Sequence, residues 1–188
     1  MDNLIIMKSL LFFSFVLLLS GCANKKEFTR ENAFTLIKEA YHYPEMWDYE
    51  IFAADPEEAK KLTAVGLEDK GFVTINHHPR LMDMGKALIQ LTPKARSYVL
   101  PAQANDADSK IIRVKAGDVD IVQVTGVKLL SSGKSAVAEY TTVFKNLTPF
   151  AALRRMVADK QKTQKAYFSL YDDGWRLEKK PGIEFLSN

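Results

Sequence analysis

Hydrophobic residues recur at helical spacing in two places in the first third of the chain. The first set, residues 33–41, follows Thr29, whose side chain suits the capping position of a helix. The second set follows Asp55-Pro56, a capping carboxylate and a first-turn proline, with two glutamates after them. Gly66 then supplies an end signal. The pattern predicts two helices, the first ending at Tyr43-Pro44 and the second at Gly66.

Short runs of strand type follow the second helix. Residues 72–75 and 87–91 predict two strands around a loop, and Thr92-Pro93 predicts the start of one more helix. The stretch 101–109 is rich in turn residues and poor in hydrophobic ones. We therefore expect a linker there, between a domain of residues 29–100 and a domain of residues 110–188.

The second half is dominated by valine, isoleucine and alternating patterns. Strands are predicted at three places, 110–114, 119–130 and 136–144. Thr148-Pro149 then predicts a helix through Val157, and Asp172-Asp173-Gly174 predicts the turn of a closing hairpin. These elements indicate a small antiparallel sheet packed on one helix, so the predicted fold class is α+β.

Aromatic residues crowd the segment between the two predicted helices, at Tyr41, Tyr43, Trp47, Tyr49 and Phe52. We expect these side chains to close the core between the helices. Their spacing fits no single helix face, so some are expected to be partly exposed. The alternative is a stacking platform for sugar rings or a partner's side chains, which makes Trp47 and Tyr49 candidate partner-binding residues.

Composition narrows the class of protein. The chain has 188 residues, 47% hydrophobic and 26% charged, with one cysteine, which excludes a disordered tail, a disulfide-stapled mini-protein and a polytopic membrane protein. The net charge of +3 is uneven, because residues 27–100 have 9 cations against 12 anions and residues 110–188 have 14 against 8. An anionic partner should therefore prefer the second half.

A basic run in that half contains Arg154, Arg155, Lys160, Lys162 and Lys165, opposed within the run only by Asp159. One interpretation is a solvated helix face. The other is a binding surface for anionic lipid headgroups or an acidic polymer, with the first four cations as candidate partner-binding residues.

Residues 10–19 form an apolar block of ten, and Lys8 gives it a positive flank. A membrane-spanning helix needs about 20 apolar residues, so the block fits a signal-peptide core. Since Met7-Lys8-Ser9 is a cleaner start than Met1-Asp2, we expect translation to begin at Met7. The block ends in Leu19-Ser20-Gly21-Cys22, which resembles the bacterial lipobox.

The lipobox resemblance implies removal of residues 1–21 and acylation of Cys22 on its thiol and its new amino group. Two or more acyl chains anchor a protein stably, so the resemblance implies a membrane-anchored, extracytoplasmic lipoprotein. Ala23, in place of an aspartate, implies the periplasmic face of the outer membrane in a Gram-negative host. Residues 22–28 are expected to form a tether, whose reach from Ala23 to Phe28 is at most about 20 Å.

The order helix, helix, Gly66-Leu67, two strands and Leu91-Thr92-Pro93-Lys94 resembles a winged-helix domain, over residues 30–100. Such domains commonly bind DNA. This segment is net acidic and its second helix offers only Lys60 and Lys61, whereas DNA binding needs phosphate neutralisation and side chains that read base edges. Export also separates the protein from the chromosome, so we expect a scaffold that binds no nucleic acid.

Residues 118–178 resemble domains of uncharacterised bacterial lipoproteins. The resemblance rests on a tyrosine-containing strand, Thr148-Pro149-Phe150 and Asp173-Gly174-Trp175-Arg176. It implies no activity.

Other motifs are weak. Ser132-Gly133-Lys134-Ser135 lacks the earlier glycine and the following helix of a phosphate loop, so a hairpin turn is expected. Neighbouring His77 and His78 point to opposite sides of an extended segment, which disfavours a metal site. Asp118 and Asp120, like Asp172 and Asp173, occupy turn or strand-start positions. The sequence thus predicts no catalytic residue, metal site or cofactor.

Together these patterns predict a winged-helix-like N-terminal domain followed by the sheet domain. They predict a lipid-anchored envelope lipoprotein that acts as a non-enzymatic binding or scaffold module. Its expected partners are the membrane, through Cys22, and an envelope protein or anionic polymer. The alternatives are an envelope hydrolase with an unmarked site and a nucleic-acid-binding winged-helix protein.

Overall fold

A computed structural model describes residues 27–83 and 85–185 and has an α+β fold, as predicted. The helices are α1 (Arg30–Ala40), α2 (Pro56–Ala64) and the single turn α3 (Asp106–Ser109). The strands are β1 (Glu45–Phe52), β2 (Val73–Ile75), β3 (Ile89–Leu91), β4 (Ile111–Leu129), β5 (Ser135–Lys145), β6 (Lys162–Tyr171) and β7 (Gly174–Glu178). Short 3-10 segments span Leu81–Asp83, Pro93–Tyr98, Pro149–Arg154 and Ile183–Phe185. Among the described residues, no helix is long and apolar enough to cross a membrane.

Five strands form one curled antiparallel sheet in the order β1-β4-β5-β6-β7, and β2 pairs with β3 in a separate hairpin. The first half of β4 pairs with β1, from Ile111 opposite Phe52 to Val119 opposite Glu45. The second half of β4 pairs with β5. A strand of 19 residues therefore joins the two parts of the sheet.

Helix α1 covers one face of this sheet. Thr29 and Asn32 form a reciprocal capping box at its start, as the sequence predicted for Thr29. Ala33 and Ile37 are fully buried and belong to a hydrophobic cluster with residues of β4 to β7. Phe28, placed by the sequence at the end of the tether, belongs to this cluster, since its ring lies 4.7 Å from Phe168.

A second hydrophobic cluster joins α2, the β2–β3 hairpin and residues from the sheet. Asp55 caps α2 through a 2.9 Å bond from the Glu57 N–H, and Gly66 after it has a φ of +72°, both as predicted. Phe150 contributes a fully buried ring. Since α1 and α2 belong to different clusters, they do not share the core that a winged-helix domain would give them, although helix, helix and hairpin come in the predicted order.

Several local predictions need correction. The aromatic segment 41–52 was expected to close the core between two helices, but most of it is strand β1, which pairs with β4. The predicted strands 110–114 and 119–130 are one strand, with a register shift opposite Trp47. The predicted helix from Thr148 to Val157 is a 3-10 segment of six residues, which ends because Arg155 adopts a left-handed conformation.

The helix that covers the sheet is therefore α1, from the front of the chain. The predicted boundary at 101–109 does not divide the sheet, because β1 lies before it and β4 after it. The segment itself includes α3 and the buried Asp106. The division into two domains stays a prediction about folding units.

Candidate functional site

The structure brings together two of the predicted partner-binding residues, Trp47 and Arg154. Trp47 lies on β1 and is half-buried, with the ring of Phe144 at 5.8 Å in an edge-on arrangement. The Arg154 guanidinium lies 4.8 Å from the centre of the Trp47 ring. A cation over an aromatic face at this distance is attracted by the ring, so the indole holds Arg154 at the end of the Pro149–Arg154 segment.

Tyr49 lies two residues further along β1 and is also half-buried. Burial raises the pKa of its hydroxyl to about 12, with a further contribution from the carboxylate of Glu58. Glu58 is 1% exposed, and its Oε2 accepts a 3.1 Å hydrogen bond from Lys61. Its other oxygen has no hydrogen-bond partner within the described part of the chain. The Arg154 guanidinium lies close enough to Tyr49 to oppose part of this rise in its pKa.

The remaining predicted cations Arg155, Lys160 and Lys162 are exposed and lie after the 3-10 segment. They do not occupy a helix face, because the chain turns away at Arg155, with φ +54°, and again at Asp159, with φ +58°. Lys165, on β6, lies 3.6 Å from Glu139 across the sheet. The basic run therefore centres on a loop, residues 155–161. Arg154 comes just before this loop and lies over Trp47, and Lys162 and Lys165 follow it on β6.

An ionic network that the sequence analysis missed lies beside β1. Arg113 of β4 donates to both oxygens of Asp106 at 2.8 and 3.2 Å, and to Glu50 at 2.6 Å. The bond from Arg113, with another from the Gln103 N–H, holds the pKa of Asp106 below its usual value. Glu50 and Arg113 are 63 residues apart, so only the β1–β4 register brings them together.

Asp118 and Asp120 lie inside β4, not at the turn or strand start that the sequence predicted, and each is bound to a cation. Asp118 accepts hydrogen bonds from Lys115 and Asn146. Although burial alone would raise its pKa, these bonds outweigh that effect and lower it. Asp120 pairs with Lys145 at 2.9 Å. Both aspartates are therefore held by neighbouring cationic or amide side chains.

The turn motifs behave as predicted. The Leu130 N–H donates to the Ser135 carbonyl oxygen and closes the β4–β5 hairpin. Gly133 lies in the turn with a φ of +63°, so the Ser132-Gly133-Lys134-Ser135 motif belongs to a hairpin turn. Asp172-Asp173 joins β6 to β7, where Tyr171 pairs with Gly174.

The two adjacent histidines also have separate environments. His77 lies 2.9 Å from Glu68, whereas the His78 backbone N–H donates to the Asn76 side chain. No group of three or more metal-ligating side chains in residues 27–83 and 85–185 is placed to hold an ion. Cys22, the predicted lipidation site, lies outside the described residues.

One groove of about 420 Å³ lies between α2 and the chain that follows β2. Its lining is mostly apolar, with Ala59, Ile75 and Leu88, and its two ionisable residues are Lys60 and His77. Each of these bonds to a glutamate, Glu57 or Glu68. Comparison with models of protein families, with curated proteins and with solved structures found no match for this chain.

Proposed function

We propose that the protein is a lipid-anchored bacterial envelope lipoprotein, a non-enzymatic binding module attached through Cys22. The observation that carries this proposal is the apolar block 10–19 ending in Leu19-Ser20-Gly21-Cys22, where the chain has its single cysteine. A ten-residue block is too short to span a bilayer. Two or more acyl chains on Cys22 would hold the protein at the membrane stably. By the same resemblance, Ala23 favours the outer membrane in a Gram-negative host.

The start of the folded part supports a short attachment. Phe28 is 5% exposed and packs against Phe168 and Trp175, so residues 23–27 alone lie between the acylated cysteine and the core. Fully extended, the six steps from Cys22 to Phe28 reach about 20 Å. The folded part would therefore stay next to the bilayer.

The partner surface in this proposal is the surface around Trp47 and Arg154 together with the loop 155–161. Trp47 and Arg154 hold one another, and the exposed cations follow in the loop. Residues 29–100, with elements in winged-helix-like order, would serve as scaffold rather than as a DNA-binding domain.

The test is incorporation of labelled palmitate into the full chain expressed in a bacterium. We expect label on the parent protein, no label on Cys22→Ala, and retained label on Ser20→Ala, which keeps a small residue before the cysteine. Membrane sedimentation is a poorer test, because an uncleaved precursor can stay on the membrane through its apolar block. A parent protein that takes up no label, or a Cys22→Ala variant labelled as strongly as the parent, contradicts the proposal.

A further inference from the structure

We propose that Arg154, Arg155, Lys160 and Lys162 bind a linear polyanion, a polymer with repeated phosphate or carboxylate groups, on the side of the protein away from its anchor. This inference names the partner class of the module proposed above, and its choice of a polymer over the membrane rests on anchoring at Cys22.

The first support is uncompensated charge. Residues 154–165 contain five cations and one anion. Among these cations and within the described residues, Lys165 alone forms an ion pair, 3.6 Å from Glu139 of β5. In the described part of the chain, Arg155, Lys160 and Lys162 have no salt bridge and are exposed. Cations without internal partners attract an anionic polymer most strongly, because no ion pair has to break.

The second support is the shape of the loop. Arg155 and Asp159 both adopt the left-handed conformation, with φ +54° and +58°, which non-glycine residues rarely adopt. Arg155 occupies the position after a helical segment where glycine is usually favoured. Because His42, Lys110 and Asn146 share this conformation, it does not mark a site by itself, but it fixes the course of the loop at two points. Trp47 fixes the adjacent Arg154.

The third support is position along the sheet. Phe28, the first core residue after the anchor, contacts Phe168, while Lys162 begins the same strand six residues earlier. At about 3.3 Å per residue, these positions are about 20 Å apart. Electrostatic attraction is screened within about 8 Å at physiological salt. The anchored Phe28 end and the loop cations thus lie at opposite ends of β6, so an orientation with the Phe28 end toward the bilayer leaves these cations free for a polymer.

The test measures binding of labelled polyphosphate and labelled poly-glutamate to the full chain in neutral detergent micelles, at low and at moderate salt. The key pair of variants is Arg155→Gly and Asp159→Gly. Each places glycine, which adopts the left-handed conformation without strain, at a position that already has this conformation. Neither substitution is therefore expected to unfold the loop. Arg155→Gly should weaken binding about fivefold and Asp159→Gly should strengthen it several-fold, at about 1 kcal/mol per charge near an anionic surface.

A larger variant and a charge-matched control complete this experiment. Replacing Arg155, Lys160 and Lys162 by glutamine should weaken binding about 100-fold. In the control, glutamine replaces Lys38, Lys128 and Lys134, which are exposed outside the loop. This variant loses the same charge, and its affinity should stay within about twofold of the parent's. Equal losses in the two triple variants would indicate a general charge effect and overturn the proposal, as would binding of neither polymer at low salt.

A vesicle experiment separates the polymer from the membrane as the partner. The full chain is reconstituted into phosphatidylcholine vesicles with and without phosphatidylglycerol, and polyphosphate affinity is measured on each. Equal affinities support a loop that faces away from the bilayer. A large loss on the anionic vesicles places the cations on lipid headgroups and overturns the proposal. The micelle measurements do not depend on palmitate incorporation, so their failure is distinct from failure of the lipoprotein proposal.

Discussion

Replacing Phe150 by alanine should remove a large part of the free energy of unfolding. The Phe150 ring is fully buried and lies 6.1 Å from the ring of Phe72 and 6.0 Å from that of Tyr98, which are themselves 6.2 Å apart. Phenylalanine-to-alanine changes in such sites cost about 3–5 kcal/mol, from lost burial and from the cavity left behind. Three mutually packed rings leave little freedom to collapse, so we expect a value within this range.

This substitution also tests the predicted division of the chain. Phe150 comes after the 101–109 segment, whereas Phe72 and Tyr98 come before it. If the two halves unfold together, Phe150→Ala lowers the stability of both halves equally. If they unfold separately, two transitions appear, and only the one reported by peptides of residues 110–188, which include Phe150, moves to lower urea.

The assay is urea unfolding followed by tryptophan fluorescence and by amide hydrogen exchange of peptides from both halves. With a denaturant slope of about 2 kcal/mol per molar urea, the midpoint should fall by about 2 M. Leu81→Ala is the control, because Leu81 is 84% exposed and its truncation should cost less than about 0.5 kcal/mol. A loss below about 1 kcal/mol for Phe150→Ala would refute the reasoning, whereas a change confined to one half would show that the halves unfold separately.

Arg113→Met should lower the urea midpoint, because it leaves the buried Asp106 carboxylate without its cation. Since the folded-state pKa of Asp106 is depressed, its stabilising contribution is full above its unfolded pKa of about 3.9 and is lost as pH falls through the folded value. Between about pH 5 and pH 2 the parent should therefore lose unfolding free energy more steeply than Asp106→Asn, and parallel acid profiles would contradict this. Gly117→Ala should cost about 1–3 kcal/mol, because its new Cβ would lie 2.8 Å from Leu147 Cδ2 and 3.3 Å from the Lys145 carbonyl oxygen, which belongs to paired backbone and cannot swing aside. Gly126→Ala, on the same strand but with nothing within 4 Å, should unfold within about 0.5 kcal/mol of the parent, and equal losses for the two glycines would show that the close approach is not the cause.

Local signals in the sequence predicted the ends of elements well. Asp55-Pro56 and Gly66 bound α2, and the hairpin turns at Gly133 and at Asp172-Asp173 lie where their residue types require. These features depend on a few neighbouring residues, since caps and tight turns are decided by hydrogen bonds and φ angles within one turn of the chain.

The strand β1 was missed although a signal for it was present. Trp47, Tyr49 and Ile51 alternate with Asp48 and Glu50, which is the period of a half-buried strand, and Ile51 is fully buried. Reading the segment as a cluster of aromatic residues hid that alternation. Missing β1 also meant missing the link between the two halves of the chain, because β1 pairs residues 45–52 with β4 of the second half.

Contacts between distant residues could not be predicted from spacing. The bond from Arg113 to Glu50 and the position of Arg154 over Trp47 depend on strand register and on where the Pro149–Arg154 segment ends. The sequence named Trp47 and Arg154 separately, on separate grounds. Only the pairing of β1 with β4, and of β4 with β5, places them within reach of one another.

The sheet makes the anchor and the loop 155–161 separable by experiment. Phe28 packs near one end of β6 and Lys162 begins the other, so paired backbone rather than a flexible segment sets the separation between them. Phe168→Ala, at the Phe28 end of the strand, should therefore lower the unfolding temperature while leaving polyphosphate affinity unchanged in the folded protein. Arg155→Gly should do the reverse, weakening binding without lowering the unfolding temperature. If both substitutions changed both quantities together, the loop would owe its affinity to the stability of the sheet and not to its own exposed charges.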